Sequence, residues 1–209
     1  MSETTPRGER KERTRRAILD AALRLAGEQT LAALSLRQVA KEVGVVPTAF
    51  YRHFDSLDDL GLALVDESFA SLRGMLREVR QGAPAFNWII DNSIDVVAAH
   101  AREHRAHFAF IARERGAGPT VVREEIRHQF ELFERELAAD LALLPGTDTW
   151  TREDLQVLAN LIVTQMVAFG EQFVVVRGDA EEQLVERARR QLRMVLIGAL
   201  SWRSGGATS

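Results

Sequence analysis

The chain has 209 residues with no cysteine and five prolines; 46% of residues are hydrophobic and 27% charged, and the net charge is −3. The balance is that of an ordinary globular protein, and the missing cysteine excludes disulfides, thiolate metal sites and a cysteine nucleophile. Charge is unevenly spread: ten Lys/Arg face five Asp/Glu between Arg7 and His53, and the rest of the chain is acidic. Such a basic head on an acidic body turns one end of a molecule towards phosphates.

In chain order, residues 1–7 are expected to be a polar tail. The N-terminus has no apolar signal-peptide core, so the chain is expected in the cytoplasm. A first helix opens in the run from Arg10 to Arg16, and Ile18, Ala22 and Leu25 give it a buried side. A charged helix start is often only a solvated face. In a basic head, Arg13 and Arg15 are candidates for phosphate contacts that position the protein without reading sequence.

The stretch from Ser35 to Phe54, SLRQVAKEVGVVPTAFYRHF, carries the strongest signal. Ser35 and Gln38 have the spacing of a capping box, and Leu36, Val39, Ala40 and Val43 form an apolar helix face. Gly44 stands where a helix closes in the left-handed conformation, and Pro47 suits the first turn of the next helix. Ala40, Gly44, Val46 and Phe50 stand at the offsets of a helix-turn-helix, with the glycine making the turn and Val46 and Phe50 pinning the second helix. That second helix is expected to display Tyr51, Arg52 and His53. Thr48, Ala49 and Tyr51 are the expected groove-facing residues, with Arg37, Arg52 and His53 nearby, and Ser35 and Pro47 complete the DNA-binding set.

Ser56 and Asp59 cap a long helix from Leu57 to Arg80, which Gly82-Ala83-Pro84 ends. Further helices are expected over about 86–103, 105–115, 119–143, 151–177 and 179–202, with a small-residue tail at 204–209. The apolar stretch Leu155–Val176 is interrupted by Asn160, Gln165, Glu171 and Gln172 and is expected not to span a membrane. Leu158, Ile162, Met166, Phe169 and Phe173, and then Leu184, Leu192, Val195, Ala199 and Trp202, form two apolar stripes. Val167, Val174, Leu196 and Leu200 lie on opposite faces. Helices apolar on two sides need a second partner, and a homodimer through the last two helices supplies one.

Phe108, Phe110, Ile111, Phe130, Phe133, Met166, Phe169 and Phe173 either fill a core or line an apolar cavity; residue spacing does not separate the two. Arg113 and Arg115 either meet the polar end of a ligand or form a salt-bridged surface around Glu114. His100, His104 and His107 lack the HExxH motif, and Glu125 with His128 has no second Glu-x-x-His to complete a di-iron set. A helical metal-binding bundle is therefore the weakest alternative. No nucleophile elbow, phosphate-binding glycine loop or dinucleotide fingerprint is present, so neither an enzyme nor a cofactor is expected.

TAFYRHF with its acidic helix start resembles the DNA-binding domain of the TetR family of bacterial transcription regulators. The resemblance implies an all-α chain of about nine helices. A three-helix helix-turn-helix domain over residues 8–56 would precede a ligand-binding and dimerisation domain over 57–203. It also implies backbone contacts from Tyr51 and His53, a homodimer on a palindromic double-stranded operator, and an effector held in the body. The lysine usual after the motif is replaced here by Asp55-Ser56-Leu57-Asp58-Asp59. Within the family, the stretches Pro47–Phe69, Phe110–Gly116 and Gln191–Trp202 look like the FabR and DesT type of repressor of unsaturated fatty-acid synthesis. That type implies a long-chain acyl-CoA effector near Phe108, Ile111, Phe130, Phe133, Met166, Phe169 and Phe173, its polar end at Arg113 or Arg115. A regulator of efflux or catabolic genes with another apolar ligand is the alternative.

Overall fold

The computed structural model describes residues 6–80, 86–144, 146–147 and 149–203. Among these are nine α-helices and no strand. They are α1 Pro6–Ala26, α2 Leu36–Val43, α3 Pro47–Phe50, α4 Leu57–Arg80, α5 Phe86–Glu103, α6 Arg105–Ala117, α7 Thr120–Leu141, α8 Arg152–Val175 and α9 Asp179–Leu200. A 3-10 turn, Leu31–Ala33, joins α1 to α2. The all-α expectation holds. α1 starts at Pro6 rather than Arg10, so Pro6 and Arg7 belong to the helix and not to a tail. The expected break at Gly82-Ala83-Pro84, Pro145 and Asp148 of the later turn, Leu200 as a facing side chain, and the tails 1–5 and 204–209 lie outside the residues or side chains described.

The chain divides into two compact units, Met1–Ser71 with Ala106–Ile126, and Leu72–Arg105 with Arg127–Ser209. The sequence places a domain boundary after residue 56; the division into compact units falls within α4, and residues 106–126 group with the head. A contiguous reading of the chain has no means of foreseeing that exchange.

In the first unit, α1 packs on α2 and α2 on α3. Ile18, Leu19, Ala22 and Ala26 of α1, Val39 and Ala40 of α2, and Phe50 and Phe54 are all buried. From α4 come Leu60, Leu64 and Phe69, and from the distant segment Phe110, Ile111, Val122 and Ile126. Gly61 permits a close approach here: a Cβ at this position would stand 2.8 Å from Val122 Cγ2 and 2.9 Å from Leu31 Cδ1. A polar chain runs through the same unit. Arg16 of α1 pairs with Glu67 at 2.8 Å, Glu67 lies 3.7 Å from His107 Nε2, and His107 Nδ1 is 2.9 Å from the buried Ser68 hydroxyl.

In the second unit α5, α8 and α9 pack together. Leu141 of α7 joins Leu155, Leu158 and Ala159 of α8 in a buried cluster, with Leu137, Trp150, Ile162 and Val195 against it. By length and composition α8 is apolar enough to cross a bilayer, a test that the core helix of a soluble protein also passes. The same composition suits a helix packed against both α5 and α9. The C-terminal end of α8 is closed by arginines. Arg105 Nη1 donates to the carbonyls of Phe173 at 2.8 Å and Val174 at 3.0 Å, and its Nη2 reaches Glu181 at 3.2 Å. Arg102 also pairs with Glu181. Both guanidinium groups lie over the Phe173 ring, 5.5 and 5.2 Å from its centroid. Cations satisfy orphan carbonyls at a helix C-terminus and complement its dipole, while Glu181 in the first turn of α9 has the favourable sign for a helix start.

Arg105→Ala removes the bonds to the Phe173 and Val174 carbonyls and to Glu181 at once from a site that is largely buried. It is expected to destabilise the fold by about 2 kcal/mol, read as a lower midpoint in urea denaturation; an unchanged midpoint would show that the clamp contributes little.

Candidate nucleic-acid interface

The helix-turn-helix is assembled by local rules. The Ser35 hydroxyl accepts from the Gln38 N–H at 3.2 Å, and the Gln38 Oε1 accepts from the Ser35 N–H at 2.8 Å, which completes the capping box of α2. Ser35 is thereby committed to the cap. Gly44 closes α2 in the left-handed region at φ 74, and the Val45 N–H bonds back to the Ala40 carbonyl at 2.9 Å. Pro47 opens α3. Downstream, the Ser56 hydroxyl accepts from the Asp59 N–H at 3.0 Å and starts α4.

Two expectations are corrected. α3 is one turn long and ends at Phe50, so Tyr51, Arg52 and His53 lie in the tight turn after it. That turn is held by His53 N–H to the Phe50 carbonyl at 2.8 Å and Phe54 N–H to the same carbonyl at 3.1 Å. Second, Val46 does not pin the helix. It is the N-cap residue of α3 and is 64% exposed, whereas Phe50 is wholly buried. The anchors are Phe50 and Phe54, whose ring centroids stand 5.7 Å apart. Val46 is left on the surface beside Pro47 and Thr48, both exposed, where an apolar side chain suits a thymine methyl group.

Tyr51 is exposed and meets the edge of Phe50, with centroids 6.0 Å apart. Arg37 and Arg52 are exposed, and Ala49 is partly so. Of the α1 arginines, Arg13 is exposed, but the Arg15 guanidinium lies 5.0 Å above the Phe54 ring. Arg15 therefore packs the head as well as charging it. Lys11, which sequence reasoning passed over, acts electrostatically on His53. Desolvation, then the charges of Lys11 and Arg15, hold the His53 imidazole below the ordinary histidine pKa. Its Nδ1 is buried and has no hydrogen-bond partner. A neutral histidine surrounded by cations gains a proton more readily once a phosphate arrives.

The expected effector residues fall in different units. Phe108, Ile111, Arg113 and Arg115 belong to the first; Phe130, Phe133, Met166, Phe169 and Phe173 belong to the second. Ile111 is buried, Phe108 and Arg113 are partly exposed, and Arg115 is exposed. In the second unit Phe133, Phe169 and Phe173 are buried, and Phe130 and Met166 are partly exposed. The rings of Phe130 and Phe133 stand 6.4 Å apart and those of Phe169 and Phe173 5.5 Å apart. Glu114 is not the surface partner of Arg113 and Arg115. It is wholly buried and accepts the Leu31 N–H at 3.0 Å. The signal was available, because Glu114 lies three and four residues after the buried Ile111 and Phe110 and so on their helix face. The rings of His100 and His104 are 4.3 Å apart, and among the described residues no group of three His, Asp or Glu could hold a metal ion.

Residues 18–64 match the family model described as bacterial regulatory proteins, tetR family. Solved structures share the fold at low identity. The fatty acid degradation regulator FadR from Bacillus halodurans has a TM-score of 0.69 at 14% identity, covering 94% of this chain and 97% of that one. FadR from Bacillus subtilis, in complex with stearoyl-CoA, has a TM-score of 0.68 at 16% identity, covering 87% and 97%. A TetR-family transcriptional regulator from Bordetella parapertussis has a TM-score of 0.67 at 16% identity, covering 91% and 98%.

Arg13→Ala is expected to weaken binding equally on all DNA sequences and to reduce the salt slope by about one; a sequence-selective loss in binding assays would contradict a phosphate contact. For His53, binding to phosphate would take up a proton, so operator affinity should rise as pH falls. In the free protein the sign is opposite: the depressed pKa favours the neutral form, and stability is lost as pH falls through it. His53→Gln should flatten the affinity profile; an unchanged profile would show that His53 does not meet a phosphate.

Proposed function

We propose that the chain, whose residues 18–64 match the tetR family model, is a DNA-binding transcriptional regulator and not an enzyme, acting as a homodimeric repressor released or tightened by a long-chain acyl-CoA. The observation that carries the acyl reading is the fold shared with two fatty-acid regulators, one of them bound to stearoyl-CoA. The resemblance along Pro47–Phe69, Phe110–Gly116 and Gln191–Trp202 points the same way and directs the control to desaturation or unsaturated fatty-acid synthesis genes. Phe130, Phe133, Met166 and Phe169 are the second unit's candidates for acyl contact. A role on bacterial DNA supports a cytoplasmic location.

The dimer reading rests on exposed apolar side chains in the last two helices. Val157 and Leu161 of α8, Met194 and Ile197 of α9, and Trp202 just beyond are all exposed. The expected second face is corrected in detail: Leu196 is buried within the chain, and Trp202 is 52% exposed rather than part of the inner stripe. Trp202 is held at the edge by its Nε1–H, which donates to Asp154 at 3.1 Å. A two-fold dimer through this face presents two heads to a palindrome, with half-sites about one helical turn, roughly 34–36 Å, apart. Effector controls the equilibrium only through unequal affinity for the DNA-bound and free states.

The test is operator affinity on the protein's own promoter and on a desaturase promoter, titrated with oleoyl-CoA and stearoyl-CoA. Unequal shifts by the two are expected, and firm binding indifferent to both would remove the acyl assignment while leaving the regulator. Ile197→Arg should give a folded monomer in sedimentation at low micromolar concentration; a persistent dimer would move the interface elsewhere.

A further inference from the structure

The carboxylate of Glu114 is wholly buried within the first unit. Leu31 opens the 3-10 turn that joins α1 to the helix-turn-helix, and the N–H at the start of such a turn has no acceptor within it. The residue before it, Thr30, is the cap by position but makes no side-chain cap bond. The acceptor comes instead from α6, 83 residues further along the chain: Glu114 Oε1 takes the Leu31 N–H at 3.0 Å. A helix-start cap usually supplied by a neighbouring side chain is here supplied by a distant one.

The site is built around this bond. Glu114 is wholly buried, and Gly118 closes over it, since a Cβ there would stand 2.5 Å from Glu114 Oε2. On the other side, Gly61 of α4 lets the helix approach Leu31. Oε2 is buried without a partner. An apolar side chain of similar volume often serves a buried position as well as a charge does, or better. Packing alone therefore does not call for a carboxylate, whereas the Leu31 N–H calls for an acceptor.

We propose that Glu114 is a positioning residue for operator recognition: by capping Leu31 from α6 it fixes the turn that sets α2 and α3 relative to α1. On the proposed DNA-binding function, on which this inference rests, α1 brings Arg13 to the phosphates and carries the Arg15 that covers Phe54, so an error in that turn separates the backbone contacts from the groove contacts. His107 stands seven residues before Glu114 on the same helix face, and its link through Glu67 to Arg16 gives α6 a second hold on α1.

The experiment compares Glu114→Gln with Glu114→Leu in the full chain. Gln keeps an oxygen acceptor of the same reach; Leu keeps the volume and removes it. Operator affinity on the own-promoter fragment should fall about tenfold or more in Glu114→Leu and stay within about threefold in Glu114→Gln. Hydrogen exchange of the peptide containing Leu31 should accelerate only in the Leu variant, with helicity and oligomeric state unchanged in both. Wild-type affinity in Glu114→Leu would overturn the proposal, as would an equal loss in both variants, which would make charge rather than hydrogen bonding the cause. Should the Leu variant fail to fold, exchange in the wild-type protein decides: a Leu31 amide protected as well as the core of α2 is expected, and a fast-exchanging one sinks the idea.

Discussion

A helix of one turn has no stability of its own, because nucleation costs more than a few backbone bonds return. α3 is such a helix, and the recognition surface depends on holding it in place. Gly44 fixes its entry and Pro47 its first turn. The decisive restraint is the burial of Phe50 and Phe54, which bracket Tyr51, Arg52 and His53. The side chains of this turn are thus presented from between two core anchors. Arg15 over Phe54 links that packing to the basic charge of α1. Affinity and geometry are coupled within one small cluster.

The second unit follows a different logic. α8 is apolar on more than one side, and its inner residues Leu155, Leu158, Phe169 and Phe173 are matched by Leu184, Leu192 and Leu196 of α9. The chain reversal between those helices is secured by Arg105, which meets the last carbonyls of α8 and the Glu181 carboxylate of α9. The apolar surface left outside supplies the proposed association of two chains, which a repressor of palindromic DNA requires.

Much of the head was legible because its signals are local. A capping box, a left-handed glycine and a proline at a helix start act within four residues, and Ser35, Gly44 and Pro47 are found in those roles. The helices themselves follow from periodicity. Legibility failed where distant segments decide. Val46 reads as apolar and therefore buried, but the turn leaves it outside. Glu114 reads as a surface charge between two arginines, yet the burial of Phe110 and Ile111 carries it into the interior. The assignment of Ile111 to the head likewise depends on a long-range exchange. Which phenylalanines contact an effector is undetermined by spacing, since a core and a cavity lining have the same periodicity.

That exchange bears on how the protein is made. Residues 106–126 belong to the same compact unit as α1 to α3 but are synthesised much later. While the chain is still emerging from the ribosome, Leu31 has neither its Glu114 acceptor nor Val122 across Gly61. The helix-turn-helix can form its local caps at that stage, but its interior stays open to solvent and to chaperones. Translation order therefore delays completion of the DNA-binding unit until the middle of the chain has been made. A polypeptide that stops before residue 106 lacks this part of the unit's interior.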